Sequence, residues 1–120
     1  MEVVSRERIL NLLTDGLLRA VGASEDYLNA VLEGRFQNSF ESEWLKRWDK
    51  VACDPSSSSA ECSEVREKAF LIAFRKCGND EIAGLISDDF GLMHSFAVLG
   101  LADEWVKEML EVYERGDIPY

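Results

Sequence analysis

The chain has little proline, few cysteines, one histidine and, over its last third, almost no basic residues. Pro55 and Pro119 are the only prolines in 120 residues, so long helices are permitted almost everywhere. No stretch alternates apolar and polar residues as a half-buried strand would, and no hairpin dipeptide or repeat appears. Cys53, Cys62, Cys77 and His94 lack the close cysteine pair from which zinc modules pre-form half a site, so no metal is expected. Gly84, Gly91 and Gly100 are scattered among helical residues and form no phosphate loop. His94 has no nucleophile assigned to it, and nothing in the sequence marks a cleft with raised carboxylate pKa values. These absences exclude an enzyme and leave no cofactor to expect. Charges precede and follow any apolar core in residues 1–6, so no signal peptide is read there. With an odd number of cysteines, a cytoplasmic, reduced protein is the expectation. Cys53 and Cys62 flank a serine stretch, and a disulfide between them stays open at this stage, whereas Cys77 reads as a small apolar group.

What is present begins with residues 90–102, FGLMHSFAVLGLA, the longest run without charge. At 13 residues it is shorter than the roughly 20 that cross a bilayer. On a helix, Phe90, Met93 and Ala97 fall on one side, and Leu92, Phe96 and Leu99 on the other. A helix apolar nearly all round must be covered nearly all round. The reading is therefore all-α: one helical domain over 1–120, about six or seven helices around a buried helix near 88–100. His94 fits a hydrogen-bonded histidine at the core boundary.

Around that hub the sequence predicts a first helix over 6–21, capped by Ser5 and ended by Gly22, with Ile9, Leu13 and Leu17 inward. Ser24 caps a second helix that Gly34 stops. Ser39 opens a third, in which Phe40, Trp44 and Trp48 recur at helical spacing and read as core. Residues 54–60 read as a mobile serine-rich surface loop. A fourth helix runs from 61 or 64 to Cys77, closed by Gly78. Asn79 caps a short helix, and a break at Ser87 is favoured, with Asp88 and Asp89 facing free N–H groups in the next first turn. The rival is one continuous helix with a buried, functional Asp89. Gly100 ends the hub, and Asp103 caps a last helix with Trp105, Met109, Val112 and Tyr113 inward. Ile118 and Tyr120 of the tail are placed to tuck against the bundle.

Charge is unevenly distributed. Of the net −10, residues 1–77 hold 13 acids against 11 bases, while residues 78–120 hold 10 acids against Lys107 and Arg115. Nucleic acid and anionic membrane both need a basic face and are excluded as ligands. A basic protein partner fits instead.

The C-terminal third, NDEIAGLISDDFGLMHSFAVLGLADEWVKEMLEVYERGDIPY, resembles small acidic all-helical bacterial immunity proteins of the colicin-like and contact-dependent inhibition type. The resemblance rests on the Ile86-Ser87-Asp88-Asp89-Phe90 helix start, the Trp105-bearing last helix and the Gly116-x-Ile118-Pro119 ending. It implies a protein that binds and blocks a basic toxin domain. The carboxylates assigned to that contact are Asp80, Glu81, Asp88, Asp89, Glu104, Glu108, Glu111 and Glu114. The alternative is an intracellular interaction or regulatory module that binds through the Phe40/Trp44/Trp48 helix.

Overall fold

The chargeless run lies on a helix of 20 residues, Asp80–Leu99. Asn79 caps its start by accepting from the Ile82 N–H, and Gly100, left-handed at φ 67°, closes it. The computed structural model describes residues 4–21, 24–37, 39–101 and 103–120. Among them are α1 (Arg6–Leu12), α2 (Glu25–Gln37), α3 (Phe40–Val51), a 3-10 turn (Pro55–Ser58), α4 (Ala60–Cys77), α5 (Asp80–Leu99) and α6 (Glu104–Glu114), with no strand. The fold is all-α, as expected.

Two residues, Gly78 and Asn79, join α4 to α5, so these helices form an antiparallel hairpin, the largest contact in the molecule. The hairpin is tight at Gly91, where a Cβ would lie 2.8 Å from the Arg66 side chain. Ser87 Oγ donates to the Arg66 carbonyl oxygen at 2.9 Å. The α6 helix returns along α5, with the Phe90 and Tyr113 rings 5.0 Å apart. Phe90, Phe96, Ile82, Ile86, Leu92, Met93, Leu110 and Tyr113 are almost wholly buried. Each such side chain contributes about 1.5–3 kcal/mol of transfer free energy relative to exposure. By length and composition α5 passes as a membrane span, but 67% of that stretch is buried inside the protein.

Four expectations are corrected. First, no break occurs at Ser87: α5 is continuous, and Asp89 is buried inside it. The cost of burying that carboxylate is offset by partners from three other helices, described below. The sheath covers most of residues 82–96, with Asp88 exposed, while Val98 and Leu99 in the last turn are 47% and 37% exposed. Second, α1 ends at Leu12. Residues 14–16 turn instead, with Gly16 N donating to Thr14 Oγ1 at 3.2 Å, and Leu18 adopts φ 61°. The turn sends Leu13, Leu17 and Leu18 all into the core, whereas on a straight helix Leu13 and Leu18 would point about 140° apart. Gly22 lies outside the described residues. Third, Gly34 does not stop α2, which continues to Gln37 and so buries Arg35. Gly34 instead gives room to Tyr120, whose ring would sit 2.5 Å from a Cβ there. Fourth, Ser39 makes no side-chain cap, although α3 starts at Phe40 as expected.

The serine stretch forms the 3-10 turn, and Ser59 caps α4 through the Cys62 N–H. All three cysteines are free thiols, Cys53 exposed and Cys62 and Cys77 buried. Trp44 and Trp48 stack at 5.8 Å and are half-buried against the core.

Candidate functional site

The deepest polar feature is built around Asp89. Periodicity places Arg35 on the inner face of α2, following Leu28 and Val31, so its guanidinium enters the core 4% exposed. It meets Asp89 in a two-pronged ion pair: Nη1 donates to Oδ1 at 3.0 Å, and Nη2 donates to Oδ2. Trp44 Nε1 from α3 donates to Oδ1 at 3.0 Å, and the Tyr113 hydroxyl from α6 donates to Oδ2. Arg35 Nε donates to the Pro119 carbonyl at 2.8 Å, which ties down the tail, and the guanidinium lies 4.3 Å from the centre of the Phe40 ring. Four helices and the C-terminal tail converge on one carboxylate. Burial lowers the Arg35 pKa, but the charge and hydrogen bonds of Asp89 outweigh it, and the net shift is upward. Burial, reinforced by the negative charge of Asp89, pushes the Tyr113 phenol well up, so it stays a donor.

Above this pair opens a cleft of about 160 Å³, lined by residues that include Phe36, Phe40, Glu41, Trp44, Leu45 and Leu85. Phe36 and Leu45 at its mouth are 55% and 48% exposed. Phe40, Trp44 and Trp48 pack inward against the core, so what α3 shows to solvent beside the cleft is Leu45 and Glu41.

The acids assigned to partner binding are divided by the fold. Asp89 is at zero exposure and cannot meet a partner at the surface, a correction that follows from its burial. Asp88 is exposed and paired with Arg66 at 2.8 Å. Glu114 is paired with Arg8 at 2.6 Å. Glu104, Glu108 and Glu111 form one stripe along α6, spread over about 60°. Within it Glu104 is 83% exposed, with only a distant Lys107 at 3.9 Å. Among the described residues no base pairs with Glu108, Glu111, Asp80 or Glu81. Asp80 and Glu81 begin α5 about 13 Å along its axis from Asp89, which itself lies against the far end of α6. They stand apart from the α6 stripe. Asp103 serves inward, capping α6 and pairing with Arg47 at 3.0 Å.

A second cluster bears out His94 as a hydrogen-bonded histidine at the core boundary, with partners from distant helices that the sequence did not name. His94, 1% exposed, has Nε2 2.6 Å from Glu61 Oε1, and Arg6 of the α1 N-terminus donates to the same carboxylate. A carboxylate only accepts, so Nε2 carries the hydrogen. The hydrogen bond from Arg6, then that from His94, holds the Glu61 carboxyl down at about 2. Among the described residues no group of His, Cys, Asp and Glu is arranged to hold a metal.

The arrangement is thus a packed scaffold with charge on its surface and, among the described residues, no group that could hold a metal. The sequence matches the family described as immunity protein PIM1 over residues 8–120. The chain belongs to the PIM1 immunity protein family. Membership implies a role in immunity and a toxin as partner, in line with the resemblance read in the sequence. It also extends that resemblance from the C-terminal third to nearly the whole chain, the Trp44/Trp48 helix included. No curated protein and no solved structure matches this immunity chain.

Proposed function

We propose that the chain is a cytosolic, non-catalytic immunity protein that blocks a basic toxin domain, and that its acidic surface makes the contact. The observation that carries this reading is the α6 stripe. Glu104, Glu108 and Glu111 face solvent or its edge, and among the described residues the one base paired with them is Lys107, 3.9 Å from Glu104, in a third of the chain that holds only two bases. Ordinary surfaces intersperse both signs. An unneutralised stripe raises the rate of encounter with a cationic face and disfavours partners of the same sign. Asp80 and Glu81 supply further exposed charge at the start of α5, while Asp88 and Glu114 are partly neutralised by their arginines. A toxin that grips phosphates through lysine and arginine presents the complementary face. The buried Asp89 cluster holds α2, α3, α5, α6 and the tail in fixed relation, so little ordering is left to binding.

The test is to look for a toxin-like domain in the neighbouring reading frame and to measure charge reversal against it. Glu104→Lys/Glu108→Lys/Glu111→Lys should slow association about tenfold or more at low salt and flatten its salt dependence. Stopped-flow or surface-binding kinetics would read this, and protection of cells expressing the toxin domain should fall with it. Unchanged kinetics and full protection would remove the mechanism.

A further inference from the structure

We propose that the cleft between α2, α3 and α5 receives one apolar side chain of the toxin domain, with a neighbouring toxin lysine or arginine set against Glu41. The proposal rests on the immunity reading above and adds to it an anchor point away from the α6 stripe. Size is the first argument. About 160 Å³ is close to an engineered cavity of about 150 Å³ that takes up benzene, so a phenyl or leucyl group fits. The walls are the second. Phe36 and Leu45 leave about half their surface in water at the mouth, beside Phe40, Trp44 and Leu85. Nothing in folding requires apolar residues at two such exposed positions, and covering them with a partner's side chain removes that surface from water.

Charge is the third argument, and it selects the occupant. The mouth carries Glu41, exposed and without an ion pair among the described residues, and the half-exposed Asp88, which Arg66 partly neutralises at 2.8 Å. Arg35, the one base lining the cleft among the described residues, is turned to Asp89 and the Pro119 carbonyl. An apolar pocket with an anionic rim is complementary to an apolar side chain flanked by a cation, and a pocketed anchor with a polar rim is the usual form of an energetic centre. The floor is rigid, because Trp44 is held by Asp89.

Two measurements test this. On the isolated chain, phenethylammonium and 3-phenylpropionate carry the same ring with opposite charge. Titrated by NMR, the cation should shift the Trp44 indole N–H saturably, and the anion should bind about threefold or more weakly. No indole shift, or equal binding of the two, would overturn the proposal. With a cognate toxin domain, once identified, Phe36→Ala/Leu45→Ala should weaken capture about tenfold or more while circular dichroism shows the fold intact. Capture unchanged by that pair would remove the cleft and leave the α6 face standing. Failure of the unmutated chain to capture the domain would overturn both readings.

Discussion

Asp89 and Glu61 each gather an arginine and at least one further donor from distant helices, one in the core and one at the surface. Asp89, itself at zero exposure, has Arg35, Trp44 and Tyr113. Glu61 has Arg6 and His94, but its side chain and that of Arg6 remain 38% and 55% exposed. The chemistry is alike and the solvent is not. Remove the carboxylate at the surface and water takes its place around Arg6, so that the buried His94 alone loses a partner. Remove the carboxylate in the core and an indole N–H and a phenol lose their acceptor, while a buried guanidinium keeps the Pro119 carbonyl but no counter-charge. The comparison teaches that the same motif is a structural requirement in one place and an adjustable contact in the other.

The strongest way to break the comparison is Asp89→Ala. Leaving Arg35 buried and unpaired should cost about 3–5 kcal/mol of folding stability, measured by urea unfolding. The joint replacement Arg35→Met/Asp89→Leu should cost clearly less than the single change, because no lone charge remains inside. A single-site loss below about 1 kcal/mol would mean that water reaches the pair and that the contrast with Glu61 is false. Tyr113→Phe comes next. It deletes one donor to a charged acceptor and should cost about 1.5–3 kcal/mol in the same assay. No change there would show that the hydroxyl is not held by Asp89.

How much of this was legible beforehand differs between these regions for a physical reason. Helix ends are local, and Ser5, Asn79, Asp103, Gly78 and Gly100 act where their types indicate. Asp89 inside the apolar arc was visible as a conflict, and the break at Ser87 was the cheaper local solution. The signal that decides otherwise lies 54 residues away: Arg35 continues the inner face of Leu28 and Val31. Opposite charges at two core positions are a pair waiting for a crossing of helices, and no local pattern states which helices cross. The cleft is harder still, since Phe36, Leu45 and Leu85 come from three helices and each alone is an unremarked surface residue. The turn at residues 14–16 was hidden because Leu13 and Leu17 keep helical spacing, while the burial of Leu18 requires leaving it.

At Glu61 the prediction is a matter of pH. Its folded carboxyl titrates at about 2, below the 4.5 of a free glutamate, so its contribution is present above 4.5 and is lost as pH falls toward 2. Thermal unfolding at pH 5, 3 and 2 should therefore show the difference between the native chain and Glu61→Gln shrinking across that window. A constant difference would mean that Arg6 and His94 do not hold the carboxylate in solution.

The smallest effect on stability is expected where the surface charge is least neutralised. Glu104, Glu108 and Glu111 lie in a chain of net −10, and among the described residues only Lys107, 3.9 Å from Glu104, pairs with them. Their reversal removes no short contact and relieves repulsion among acids, so folding stability should change by at most about 0.5 kcal/mol, in the favourable direction. Salt sharpens the comparison with the core. Added sodium chloride screens repulsion between exposed charges and leaves the Arg35–Asp89 pair largely untouched. The native chain should accordingly gain melting temperature on going to about 0.5 M salt, and the triple-reversed chain should gain less. An equal gain in both would show that the stripe is neutralised in solution, and a cationic partner would then find no excess of charge on α6 to meet.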